Sequence, residues 1–304
     1  MSLKEKIENN ITIFLLGTLF TGFLAGIGTY KAILEIAKLE VVHKGRLNQK
    51  GDSSQLKEVT KKIIQDLTNS DTDVEKGVKY ALAKIGEPAI PQLIDALKAK
   101  DKNLREKAAV YLGEMQTADA LDPLILALQD DEPYVRREAA RALGKIGNKK
   151  AVKSLLFALN DNNSLTREGA AYALGEMKAI EAQDDLINAL KDGDPNVKAE
   201  AARALGEIQS LESAEHLMNL LNDKNSNVRS SAAYALGKIK YTKAVDALII
   251  ALEDNNKAVK ASAAGALGEI ADPSAIEPLK KVLKHNDWWV RNQAEWALKR
   301  IQGR

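Results

Sequence analysis

Acidic side chains recur along this chain at a fixed interval of 31 residues, at Asp122, Asp184, Glu215, Asp246 and Glu277, and Lys153 breaks the series. Paired carboxylates can act as acid and base for one another's substrate. These return in step with everything around them, which marks a solvated face more than one reaction centre. Other chemistry-bearing types are sparse. There is no cysteine, so disulfides, thiol catalysis and thiolate metal sites are excluded. The three histidines, His43, His216 and His285, are far apart and show no metal-ligand spacing. Catalytic residues, a metal and a cofactor are therefore not expected. Lys plus Arg number 44 against 42 acids. That balance does not suit a protein that grips nucleic acid along its length.

The elements that carry these side chains follow from self-similarity. The motif "YALGKI" and its variants place a leucine at Leu82, Leu112, Leu143, Leu174, Leu205, Leu236, Leu267 and Leu298. Two further leucine columns keep step, one through Leu93, Leu124 and Leu155, the other four residues on through Leu97, Leu128 and Leu159. Each unit reads as two helices. The first opens on a capping signal such as Asp194–Pro195; the second buries leucines spaced i and i+4. Alanines, and glycines such as Gly144 and Gly237, make the first helix thin, so that neighbouring helices approach closely. The column of alanines becomes Lys79 at one end and Glu295 at the other, as expected of terminal layers. Ile63 and Leu67 mark a leading half-unit. The expected fold is all-α: a right-handed α-solenoid of about eight 31-residue helix-pair repeats over residues 55–304, continuous rather than two globules.

The unit "DPxVRxxAAxALGxI…AxxxLxxAL.D" resembles the HEAT-like repeats of phycobilin-lyase type. The resemblance covers about residues 55–304. It implies membership of a class that includes scaffolds, regulators, and proteins that attach or detach bilin chromophores. No catalytic motif of those proteins matches residue by residue, so no site is carried over. The absence of cysteine rules out a thioether-linked bilin on this chain, though not transfer catalysed without one.

Residues 11–30, "ITIFLLGTLFTGFLAGIGTY", carry no charge. As a helix they would span about 30 Å, the thickness of a bilayer core. A single transmembrane helix is expected here, after a short tail at 1–10. Lys31, Lys38, Lys44, Arg46 and Lys50 outnumber Lys4 and Lys6, which orients the repeats toward the cytoplasm. Thr18, Gly22 and Gly26 form a ridge of small residues suited to helix packing and to a homo-oligomer. Residues 31–42 read as an amphipathic juxtamembrane helix and 43–54 as a hydrophilic linker.

A partner protein is expected on the second helices. The residue two after the first leucine lies opposite the buried face, and this column reads Leu126, Phe157, Asn188, Asn219 and Ile250, between Asp95 and Lys281. Three apolar members depart from a solvated column. The first helices carry an outward column with Arg141, Tyr172, Arg203, Tyr234 and Trp296. A basic column, Arg105, Arg136, Arg167, Lys198, Arg229, Lys260 and Arg291, recurs with Asp130, Asp161, Asp192, Asp223 and Asp254, and is expected to form hydrogen bonds between layers. Near the C-terminus Lys280, Lys281, Lys284, Trp288 and Trp289 form a basic, aromatic patch suited to anionic lipid or an acidic partner. The sequence thus points to a membrane-anchored interaction scaffold with no enzymatic role. The alternatives are a bilin lyase-like protein that handles phycobiliproteins, and a membrane sensor that acts through oligomerisation.

Overall fold

The long helices begin where the sequence supplies a capping side chain. Asp101, Asn163, Asp194, Asn225, Asn256 and Asp287 each accept a hydrogen bond from the amide two residues on. That satisfies a donor which the first helical turn leaves bare. A computed structural model describes residues 50–68 and 72–303. They form two compact units, one ending at Ala120 and the other starting at Leu121. The single array expected over 55–304 is grouped in this way, and every regular element among the described residues is helical. The expected membrane span, its Thr18, Gly22 and Gly26 ridge and the juxtamembrane segment lie outside the described residues. Among the described residues no helix is long and apolar enough to cross a membrane.

The first unit contains the helices Lys50–Gln65, Thr72–Ile85, Ile90–Ala96 and Lys102–Met115. The first of these helices starts at Lys50 and so overlaps the end of the linker expected over 43–54, whose residues 43–49 lie outside the described residues. A polar stretch joins a helix readily when the helix goes on to bury an apolar face. Here Ile63, Ile64 and the following Leu67 are buried, and the helix packs on Thr72–Ile85 and Ile90–Ala96.

The second unit alternates short helices (Leu121–Ala127, Val152–Ala158, Gln183–Ala189, Ala214–Leu220, Val245–Ala251, Ile276–Val282) with long ones (Pro133–Ile146, Ser164–Glu176, Pro195–Ile208, Ser226–Ile239, Lys257–Ile270, Trp288–Ile301). Each long helix packs on the next, and each short helix packs on the long helix that follows it. This is layer-on-layer stacking of the kind found in α-solenoids. Leu143, Leu174, Leu205, Leu236 and Leu267 are fully buried, as are Leu155, Leu186, Leu217, Leu248 and Leu279. A 3-10 turn such as Lys149–Ala151 or Leu211–Ser213 leads into each short helix that follows a long one in this unit.

The thin face of the long helices has a direct cause. A Cβ built on Gly237 would stand 2.6 Å from the Cα of Ala266 in the next layer, and one on Gly206 would stand 2.8 Å from the Cα of Ala235. Gly144 and Gly175 face Ala173 and Ala204 in the same way. Backbone meets backbone, which offsets the propensity cost of a helical glycine, about 1 kcal/mol.

The basic column ties these layers together. Arg167 donates from Nε and Nη2 to Asp192 at 2.7 and 2.8 Å, and Arg229 grips Asp254 at the same distances. Arg136 donates to Asp161 at 2.9 Å, and Lys198 pairs with Asp223. Nη1 of Arg167 and of Arg229 also reaches a carbonyl six residues back, on Asp161 and Asp223. Each carboxylate in turn accepts the amide two residues on, as Asp254 does from Asn256 at 2.7 Å. The Arg229 hydrogen bonds, against the effect of burial and with help from the Asn256 amide, hold the Asp254 carboxyl below the usual carboxylate range. The column changes at its end. His285 occupies the ladder aspartate's place and accepts the Asp287 amide on Nδ1 at 3.0 Å. Lys260 and Arg291 form no direct ion pair among the described residues, and Arg291 bonds instead to the carbonyls of His285 and Asn286.

Candidate partner-binding surface

A short helix that buries leucines at i and i+4 turns residue i+2 about 200° away, toward solvent. On Val152–Ala158 this places Leu155 inside and Phe157 outside. Phe157 is 82 % exposed, Leu126 is 62 % exposed and Ile250 is 74 % exposed. Asn188 and Asn219, between them in the column, are exposed as well. Leu126 and Phe157 project from consecutive short helices of one unit, whereas Ile250 is separated from them by the two asparagines. The supporting layers are braced by the Arg–Asp ladder, so the face is presented on a rigid scaffold.

The acidic column runs beside this face. Asp122, Asp184, Glu215, Asp246 and Glu277 are all exposed. Glu215 accepts the Tyr241 hydroxyl at 2.5 Å, which is the leading cause of a raised Tyr241 pKa, and Glu277 pairs with Lys280 at 2.7 Å. Among the described residues no group of three His, Asp or Glu side chains is placed to hold a metal ion.

The outward column of the long helices stacks on itself. The Arg141 guanidinium lies 4.1 Å from the Tyr172 ring centroid, Arg203 lies 5.3 Å from Tyr234, and Arg300 lies 5.4 Å from Trp296. These cation–π contacts occupy the charges within the protein. In the C-terminal patch Trp288 and Trp289 are exposed beside Lys281 and Lys284, and Lys280 is held by Glu277.

Two features escaped the sequence reading. Ile180 and Leu211, which open the 3-10 turns of adjacent layers, are 65 % and 64 % exposed. Their signal was available: both sit one residue before the acid of a turn, where Lys149 and Thr242 stand in the neighbouring layers. The second is a cavity of about 1000 Å³ in the first unit, lined by Lys79, Leu82, Ala83, Tyr111, Glu114 and the turns that follow both long helices. Ala83 and Tyr111 stand where later layers have the glycine and the alanine of the close contact. Lys79–Glu114 at 3.2 Å and Lys107–Glu75 at 2.7 Å link the two long helices here. Tyr111 is 6 % exposed, and burial, followed by Glu114 and Glu75, pushes its phenol up to about 12.

Comparison with known proteins agrees with this architecture. The family model described as HEAT repeats matches residues 60–133, 121–187, 183–256 and 245–304. Among solved structures, the complex of CpcE and CpcF of phycocyanin lyase from Nostoc sp. PCC7120 is 28% identical, with a TM-score of 0.52, over 70% of this chain and 94% of that one. The Escherichia coli protein YibA is 24% identical with a TM-score of 0.59, over 84% of this chain and 98% of its own, and speaks to the fold alone. No curated protein matches the chain in sequence. In all, 361 solved chains match, so the architecture by itself selects no activity.

Proposed function

Because the chain belongs to the HEAT-repeat family, we propose that it is an interaction scaffold which binds a partner protein on the exposed faces of its short helices. The observation that carries this is the exposure of Leu126, Phe157 and Ile250 in one column of braced layers. Large apolar side chains held in water, two of them at consecutive layers, are contact residues in waiting. Residues 11–30 supply the proposed membrane anchor, with the repeats in the cytoplasm. Tethering of this kind raises the effective concentration of the scaffold toward membrane-bound partners. The test is co-purification of partner proteins with the full chain from detergent-solubilised host membranes. The double variant Leu126→Asp, Phe157→Asp loses a partner that the unaltered chain retains. Equal recovery with both chains overturns the assignment of this column. The anchor is tested separately, since an intact chain that stays dispersed without detergent has none.

A second reading is favoured by the 28% identity to the phycocyanin lyase complex: the chain handles a protein-bound bilin. Its test is the visible spectrum of the purified full chain mixed with a free bilin. A shifted band, or transfer to an acceptor protein, supports this reading, and an unchanged spectrum with no transfer removes it.

A further inference from the structure

Each short helix with its leading 3-10 turn shows three exposed positions spaced four residues apart. In two adjacent layers these are Ile180, Asp184 and Asn188, and Leu211, Glu215 and Asn219. The apolar member has moved to the turn end in these layers, while the neighbouring layers carry it at the other end, as Phe157 and Ile250. Gln183 donates to Glu212 at 2.5 Å and ties the two turns together. Ile180 and Leu211 thus stand exposed at the same position of two linked adjacent layers, an apolar pair distinct from Leu126 and Phe157.

The charge around this pair is one-sided. Residues 179–190 and 210–221 contain Glu181, Asp184, Asp185, Glu212 and Glu215 and no Lys or Arg. The equivalent stretch one layer earlier, residues 148–159, contains Lys149, Lys150 and Lys153 and no acid. Residues 117–128 are acidic too, with Asp119 and Asp122 and no Lys or Arg, but their turn opens on Ala118, whereas the layers of Ile180 and Leu211 join the acids to an exposed large apolar residue at the turn. Glu181 and Asp184 have no hydrogen-bond or ion-pair partner among the described residues and are exposed. An anionic lipid surface would be repelled here. A cationic segment with an apolar stripe would fill both requirements at once.

We propose that Ile180 and Leu211, ringed by Glu181, Asp184, Glu212 and Glu215, form a docking site for a basic amphipathic helix of a partner protein. The apolar stripe of that helix covers the Ile180–Leu211 pair and its Lys or Arg side chains meet the carboxylates. This rests on the scaffold reading and names the chemistry of the partner.

The probe is a fluorescein-labelled peptide of leucine and lysine, spaced so that its helix has one apolar and one basic face. A control peptide carries glutamate in place of lysine. Both are titrated into the full chain in a nonionic detergent, with anisotropy as the readout. The basic peptide binds saturably and weakens as salt is raised. Its affinity falls by about tenfold or more in Ile180→Ser, Leu211→Ser and in Glu181→Lys, Asp184→Lys, and is unchanged in Leu126→Asp, Phe157→Asp. All of these positions are on the surface, and equal far-ultraviolet circular dichroism across the variants establishes that they fold alike. Affinity equal in every variant, or equal binding of the acidic peptide, overturns the proposal. Loss confined to the Leu126, Phe157 variant also overturns it while leaving the scaffold reading intact. Retained peptide binding by a chain whose partner is indifferent to Leu126 and Phe157 supports this site and sinks the other.

Discussion

The long-helix contact at Gly237 and the one at Tyr111 occupy the same register and are built in opposite ways. At Gly237 the next layer's Ala266 presses on bare backbone, leaving no room for a Cβ. In the first unit Ala83 and Tyr111 replace the glycine and the alanine, and a cavity of about 1000 Å³ opens beside them. Ion pairs between long side chains link the two helices there, as they also link long helices at the sealed joints. A single repeat can therefore make a sealed joint or an open one by exchanging two side chains. Positions that keep the period hold the layers together, and positions that break it are where the molecule acquires individual surfaces.

The sealed joint breaks most severely. Gly237→Leu drives a side chain into Ala266 and costs about 3 kcal/mol or more, read from the midpoint of denaturant unfolding. At the open joint, Tyr111→Ala removes a buried ring and costs about 2 kcal/mol. Adding Ala83→Gly to it restores the glycine–alanine pair and recovers about 1 kcal/mol, so the double variant is more stable than Tyr111→Ala alone. No recovery would mean that the register, and not these two side chains, decides the joint.

The ladder adds a second brace to the sealed joints. Arg229→Met leaves Asp254 without its fork and costs about 1.5 kcal/mol at neutral pH. The sign of the pH dependence follows from the depressed carboxyl pKa of Asp254. The stabilisation is complete above the unfolded value, near 4, and is lost as pH falls through the lower folded value. Thermal melts of the unaltered chain thus drop below about pH 4, and the Arg229→Met variant shows a shallower drop. The smallest effect is a gain. Ala271 ends its long helix at φ 61, where Gly147 ends another at φ 71. Ala271→Gly raises stability by about 0.5 kcal/mol, seen as a slight rise in melting temperature.

Most of the layer plan was legible because leucine columns in register leave few other ways to bury their side chains. The cap at Asp194, the Arg–Asp pairs and the exposure of Phe157 all follow from position within the repeat. What escaped notice depends on departures from it. Tyr111 looked like one more copy in "VYLGEM", and its bulk matters only beside Ala83. Ile180 and Leu211 belong to no leucine column, and their exposure is set by the 3-10 geometry that leads into each short helix. The left-handed ends at Gln116, Gln209 and Lys240 carry no glycine to announce them.

The most direct test of the scaffold account is photo-crosslinking from a benzophenone analogue of phenylalanine placed at position 157 of the full chain in host cells. The account predicts a discrete protein adduct that is absent when the same analogue stands at the exposed Lys145 position of a long helix. Identical crosslinking from both positions, or adducts to lipid alone, would contradict it.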